Sequence, residues 1–289
     1  MIRGGDARSS LFCLFHILQT SICYGSDLME SKRHADKLYN LAKVFNHDLM
    51  LLFVLPQRQV VMNLLGFSDS PGMLRGRDMD EFLSMAGSMD GISSWIHSFG
   101  ELSLACFFED WDLAERAYKE TTESRFANCM KAKFTFPCYQ FFCGVLHFSS
   151  YKATKKRVYL VRAKAIIKTA AKKVKEGAIA MLPVLYFLEA EKASLTCKPD
   201  IVRQKYEIAI ASALNEESFN FAGIVSERAA KHFLRTHADV AQAFLGKASR
   251  CYSLFGSPAL LERVRGKSML FEQPRTQPPM SISIKTSNK

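Results

Sequence analysis

The stretch THADVAQAFLGKA, residues 236–248, places Ala241, Leu245 and Ala248 at offsets 0, 4 and 7, directly after a short polar loop. On an α-helix those three positions share one face. A small residue at either end lets a neighbouring helix approach, and the larger one between them fills the gap. The same spacing recurs upstream. Val202, Tyr206 and Ala209 lie 39 residues earlier, and Ala163, Ile167 and Ala170 another 39 before that. Ala114, Tyr118 and Thr121 follow at 49, then Ala35, Tyr39 and Ala42 at 79, close to two periods. A spacing in the range of 20–50 residues marks tandem repeats.

Each of the last helices is preceded by a polar break, "FFEDWD" before Ala114, "LTCKPD" before Val202 and "LRTHAD" before Ala241. Before each break runs an apolar helix, so the unit is a helix, a tight turn and a second, antiparallel helix. Asp112, Asp200 and Asp239 fall where a carboxylate can cap free amides and oppose the helix dipole. "GGD" at 4–6 reads as the tail of another such loop. The pattern predicts helices at about 7–23, 27–45, 47–65, 78–86, 90–108, 111–128, 136–150, 155–175, 178–196, 199–214, 217–235, 238–254 and 258–265. Pro56 should kink the third or delay its start, whereas Pro137 suits a first turn. The stretch 66–77, "GFSDSPGMLRGR", reads as a loop, and residues 266–289, with three prolines and no periodicity, as a disordered tail. The expected fold is therefore all-α, a tetratricopeptide-like superhelix (an α-solenoid) of antiparallel helix pairs over residues 1–265. Such a stack presents a concave surface to protein segments.

Composition agrees with a packed globular chain: of 289 residues, 48% are apolar and 23% charged. The eight cysteines are scattered among apolar neighbours without zinc-finger spacing, and read as buried small hydrophobes in a reducing, cytoplasmic setting. No stretch reaches the roughly eighteen apolar residues of a membrane span. "LFCLFHIL", 11–18, behind two arginines, reads as the first core helix, with a signal or transit peptide as its alternative.

The net charge of +11 is concentrated in one place. Lys152 to Lys175 holds ten Lys/Arg and no acid, which leaves +1 for the rest of the chain. Within it Leu160, Ala163, Ile167, Ala170, Ala171 and Val174 form an apolar stripe, flanked by Arg162, Lys164, Lys168, Lys172, Lys173 and Lys175. These cations are candidates for binding nucleic acid or an acidic membrane surface. Their plainer reading is the solvated face of an amphipathic helix. The usual aromatic interleaving of a nucleic-acid site is limited to Tyr159.

No catalytic constellation stands out. "GKS" at 266–268 has Leu261 where a phosphate-binding loop needs its first glycine, and a helix rather than a strand precedes it. No G-x-S-x-G or H-E-x-x-H occurs. His16 follows Cys13 and His147 follows Cys143 by one helical turn, but a metal needs three or four ligands. Glu189 and Glu191 sit two apart, on different faces. The reading assigns no catalytic, metal or cofactor residue and expects no cofactor.

The sequence also resembles a known group. "LNEESFNFAGIVSERAAKHFLRTHADVAQAFLGKASRCYSLFGSPALLERV", 214–264, looks like the helical segment following the nucleotide-binding domain of large signalling ATPases. Those proteins carry a kinase domain at the front and a sensor histidine kinase or cyclase at the back. "LYFLEAEKASL" at 185–195, "GSDLMESKRHADKLYNLAKVF" at 25–45 and "LPQRQVVMNLLG" at 55–66 resemble the same region. The resemblance departs from standard tetratricopeptide repeats in its longer period and its missing first-helix Trp and Leu-Gly. It implies a non-enzymatic scaffold for a protein partner, a fragment or truncated paralogue without the family's catalytic domains. The runner-up is an anion-binding module acting through 152–175, and a third reading is an enzyme subunit completed by a partner.

Overall fold

The computed structural model describes residues 7–25, 27–85, 91–130 and 133–272, all helical or in connecting turns, with no strand among them. In chain order the helices are α1 (Ala7–Cys23), α2 (Leu28–Val44), α3 (Asp48–Leu64), α4 (Arg77–Ser84), α5 (Gly91–Phe108), α6 (Trp111–Glu123) and α7 (Ala127–Met130). They continue as α8 (Phe136–Thr154), α9 (Arg157–Lys175), α10 (Leu182–Ala193), α11 (Pro199–Asn215), α12 (Phe219–Phe233), α13 (Ala238–Phe255) and α14 (Pro258–Glu272). Consecutive helices pack in pairs, α1 on α2, α5 on α6, α8 on α9, α10 on α11 and α12 on α13.

Two kinds of helix alternate, and their composition dictates which is which. α3, α5, α8 and α12 are apolar nearly all round. Met50–Pro56, Phe141–Ser150 and Asn220–Ala230 are unbroken runs of buried residues. A helix without a polar face can only be interior. α2, α6, α9, α11 and α13 are amphipathic and bury one stripe each. The end residues of all five spaced triplets lie on that stripe, and Ala35, Ala42, Ala114, Thr121, Ala163, Ala170, Val202, Ala209, Ala241 and Ala248 are fully buried. Of the central residues Tyr206 and Leu245 are buried, while Tyr39, Tyr118 and Ile167 are partly covered.

The two ends of the succession meet. The Asn220 side-chain amide on α12 donates to the carbonyls of Ile22 and Cys23 at the end of α1, 3.2 Å each. Ser257 Oγ, between α13 and α14, donates to Leu64 O at the end of α3 at 2.7 Å. Gly25 stands at this seam with φ +77, and a Cβ there would lie 2.8 Å from Asn220 Oδ1. Only glycine serves both the left-handed backbone and the close approach. Aromatic rings fill the middle: Phe141 of α8 stacks on Phe221 of α12 with centroids 3.9 Å apart, and Phe107 of α5 on Phe255 of α13 at 6.4 Å. These rings join α8 to α12 and α5 to α13, helices well separated in chain order.

Several local expectations change. α3 starts at Asp48 and runs through Pro56 without interruption. The side-chain caps come from Asp27, which accepts from Met29 N at 3.0 Å, His47, whose Nδ1 accepts from Met50 N at 3.2 Å, and Asp110, which accepts from Leu113 N at 3.0 Å. Asp112, Asp200 and Asp239 instead occupy first turns, where their charge opposes the dipole. The loop before α4 is held by Asn63, whose amide donates to Pro71 O at 3.1 Å and also to Met73 O. α14 continues to Glu272, past the expected boundary at Gly266; 273–289 and the "GGD" at 4–6 lie outside the described residues. Cys13 and Cys197 are exposed, against the expectation of burial, while Cys23, Cys106, Cys138, Cys143 and Cys251 are buried and free. Leu11, Phe15 and Leu18 of α1 belong to the core. No helix among the described residues is long and apolar enough to cross a membrane.

Candidate functional site

The ten-cation run does not form one surface. In α9, Ala163, Ile166 and Ala170 are buried, and the helical period turns Lys164, Lys168, Lys172 and Lys175 outward in one exposed row. Val158 (47% exposed) and Val161 (62%) also face outward. Lys172 and Lys173 lie 3.7 and 3.3 Å from Glu176. Arg162 points the other way. Its Nη1 is 3.1 Å from Glu115 Oε1 on α6, and its guanidinium lies over the Tyr118 and Tyr159 rings at 5.4 and 6.0 Å. Lys152, at the end of α8, is drawn into the interior.

There it joins a buried ionic cluster. Glu191 of α10 is fully buried. Arg228 of α12 donates to it twice, Nε to Oε1 at 2.6 Å and Nη2 to Oε2 at 2.8 Å. Lys152 Nζ reaches Oε2 at 2.9 Å, and Tyr206 OH donates to Oε1 at 2.8 Å. Arg228 Nη1 donates to Ser149 Oγ at 2.7 Å. Burial alone would raise the Glu191 carboxyl, but Arg228 and then Lys152 hold it well below the usual carboxylate range. The Tyr206 phenol is pushed far up, by burial and then by Glu191. Burial lowers the Lys152 ammonium despite the pull of Glu191.

A second cluster lies beside it on α12. Glu227 accepts from Tyr252 OH at 2.6 Å, from Lys267 Nζ at 2.8 Å and from Arg263. Glu109 sits 3.1 Å from Lys267 and 3.7 Å from Lys231. Across the two clusters three glutamates face five cations. A cavity of about 480 Å³ opens over the first, walled by Trp111, Lys152, Lys155, Arg228, Lys231 and His232 among others.

A third feature is the imidazole of His147, fully buried on α8, with neither ring nitrogen hydrogen-bonded. It meets Tyr118 edge to face at 4.6 Å and lines a second cavity, about 540 Å³, with Arg162 and Tyr139. Burial first, and then the charge of Arg162, push it down to about 3, so it stays neutral. Cys143, one turn earlier, is pushed up to about 12 by burial. No three His, Cys, Asp or Glu groups among the described residues are placed to hold a metal ion.

Tyr39, Tyr118, Tyr206 and Arg162 are the sequence candidates that the fold brings into polar sites, Tyr39 by donating to Glu81 at 2.9 Å beneath Arg58, whereas the outward lysines of α9 stand apart from them. The clusters on Glu191 and Glu227 escaped the sequence reading. Their signal was the dipeptide Glu227–Arg228 inside "FNFAGIVSERAAKHF", since charges within the buried run Asn220–Ala230 require partners. No protein-family model, no curated protein and no solved structure matches this chain.

Proposed function

We propose that this chain is a non-catalytic helical-repeat scaffold for a protein partner, similar to the repeat region of the multidomain signalling ATPases that its sequence resembles. The observation that carries the reading is the packing of consecutive helices in pairs, with the small ends of the five triplets buried. Because aromatic rings fill the interior, the partner is held on the outer helices. α9 offers Val158 and Val161 there, and α11 offers Ile201 and Ile208 one heptad apart. The ionisable groups inside support a non-enzymatic role. Glu191 and Glu227 are saturated by cations, and the buried thiols of Cys143 and Cys251 are pushed up to about 12 and about 11, away from the thiolate that a nucleophile needs.

A photo-crosslinking residue at Val161 or Ile208, introduced in the native cell, tests this. A discrete protein adduct that persists after Lys164, Lys168 and Lys172 are reversed to Glu is expected. Nucleotide turnover by the purified chain alone overturns the reading.

The second reading is an anion-binding surface, favoured by the single outward row of Lys164, Lys168, Lys172 and Lys175. It requires binding to acidic vesicles or nucleic acid that falls steeply with salt. The same triple reversal abolishes that binding.

A further inference from the structure

We propose that the cavity over the Glu191 cluster binds the phosphate group of a small phosphate-bearing ligand. The proposal is independent of the partner-docking reading, because the residues involved lie at the junction of α8, α10 and α12 and not on the outer faces of α9 and α11.

Charge around the cavity is unbalanced. Glu191 is matched by two cations, Lys152 and Arg228, so the buried cluster carries one positive charge in excess. Lys231 at the cavity wall shares Glu109 with Lys267, which is itself shared with Glu227 alongside Arg263. Two glutamates there face three cations. Lys155 adds another cation at the mouth, with its ammonium 5.9 Å over the Tyr151 ring. No carboxylate lines the cavity. Uncompensated charge at low dielectric is costly, and an anion relieves it.

Unused donors remain on the same cations. Arg228 gives one N–H from each of its three nitrogens to Glu191 and Ser149, which leaves two of the five that a guanidinium carries. Lys152 gives one ammonium proton to Glu191 and keeps two. With Lys155 and Lys231, cationic donors reach the cavity from the end of α8 and from α12. Phosphate fits this set because it carries close to two charges near neutral pH and accepts through three oxygens.

The cavity also has room for more than an inorganic ion. A volume of about 480 Å³ exceeds what one phosphate fills and falls in the range of small-ligand sites. The half-buried Trp111 and the His232 ring provide flat faces for the body of the ligand. A phosphate ester with an aromatic base meets both the charge and the faces, so a mononucleotide is the probe.

The test is calorimetric titration of the full chain with inorganic phosphate and, separately, with adenosine monophosphate. Saturable binding of the nucleotide is expected. Lys155→Ala with Lys231→Ala, both solvent-exposed, should weaken it about tenfold or more, the scale of one or two charge-assisted hydrogen bonds, while an unchanged unfolding midpoint shows that the fold is kept. Lys172→Ala should leave it unchanged. Trp111→Phe separates the sources: affinity for the nucleotide falls if the base rests on the indole, while affinity for phosphate alone does not. If neither probe binds the parent, or if the double lysine variant binds as the parent does, the proposal is wrong.

Discussion

His147 offers the sharpest test of the structure. Replace it by phenylalanine. The imidazole is fully buried with both nitrogens unpartnered, so its polar atoms contribute no hydrogen bond that the variant would lose. The phenyl ring keeps the edge-to-face contact with Tyr118, and the adjoining cavity of about 540 Å³ accepts the larger ring. Near neutral pH the variant is therefore at least as stable as the parent, with a gain of up to about 2 kcal/mol from removing unsatisfied polar atoms. Acid separates the two. Above pH 6.5 the imidazole is neutral in both the folded and unfolded chains and contributes no slope. Below it the unfolded chain takes up a proton that the folded chain refuses until about 3. Stability then falls as pH falls, by 1.36 kcal/mol per unit, or about 5 kcal/mol over the whole window and about 3 kcal/mol by about pH 4. Urea denaturation of both proteins near pH 7 and near pH 4 measures this. The parent's midpoint should fall relative to the variant's between the two. Parallel shifts, or a large loss of stability in the variant near neutral pH, would show that the ring is solvated or hydrogen-bonded and refute the reasoning.

Three further outcomes follow from the packing and the charges. Arg228→Met strands Glu191 in the core and should cost about 3–5 kcal/mol, whereas Arg228→Met together with Glu191→Met should cost much less than the two single changes combined. Thermal or urea unfolding of the three variants closes that cycle, and additive losses would mean that the pair is not a unit. Gly144→Ala places a methyl against the Leu188 side chain where α8 crosses α10, so it should lower stability by about 1–3 kcal/mol on the same assay. Reversing Lys164, Lys168 and Lys172 to Glu on the exposed row of α9 should leave the unfolding midpoint nearly unchanged, within about 0.5 kcal/mol per site, because these side chains take no part in the core.

Much of the fold was readable because the determining forces are local. Apolar runs such as "LMLLFVL" of α3 have no polar face, and the triplet of Ala241, Leu245 and Ala248 has a single one, so burial follows from composition and period alone. The basic run was visible too, but its division was not. Arg162 and Lys164 are two residues apart in one string of cations, yet one stacks on Tyr118 beside Glu115 and the other faces water. That outcome depends on a partner 47 residues away. Cap assignments failed for a similar reason: Asp110 and Asp112 both flank the start of α6, and backbone conformation at the first residue decides which one reaches an amide.

What the sequence determined by itself is a helical chain with alternating apolar and amphipathic members and small residues at the seams between them, because period and side-chain volume act within a few residues. What only the tertiary structure decided is where the two ends go. Asn220 reaching the α1 carbonyls, Ser257 reaching α3 and Phe141 lying on Phe221 tie together helices that stand far apart in the chain. The same closure gathers Glu191, Arg228 and Lys152 from three helices into one buried charge cluster. Contacts such as these link residues 193 to 198 positions apart, and no local pattern records which distant partners will meet.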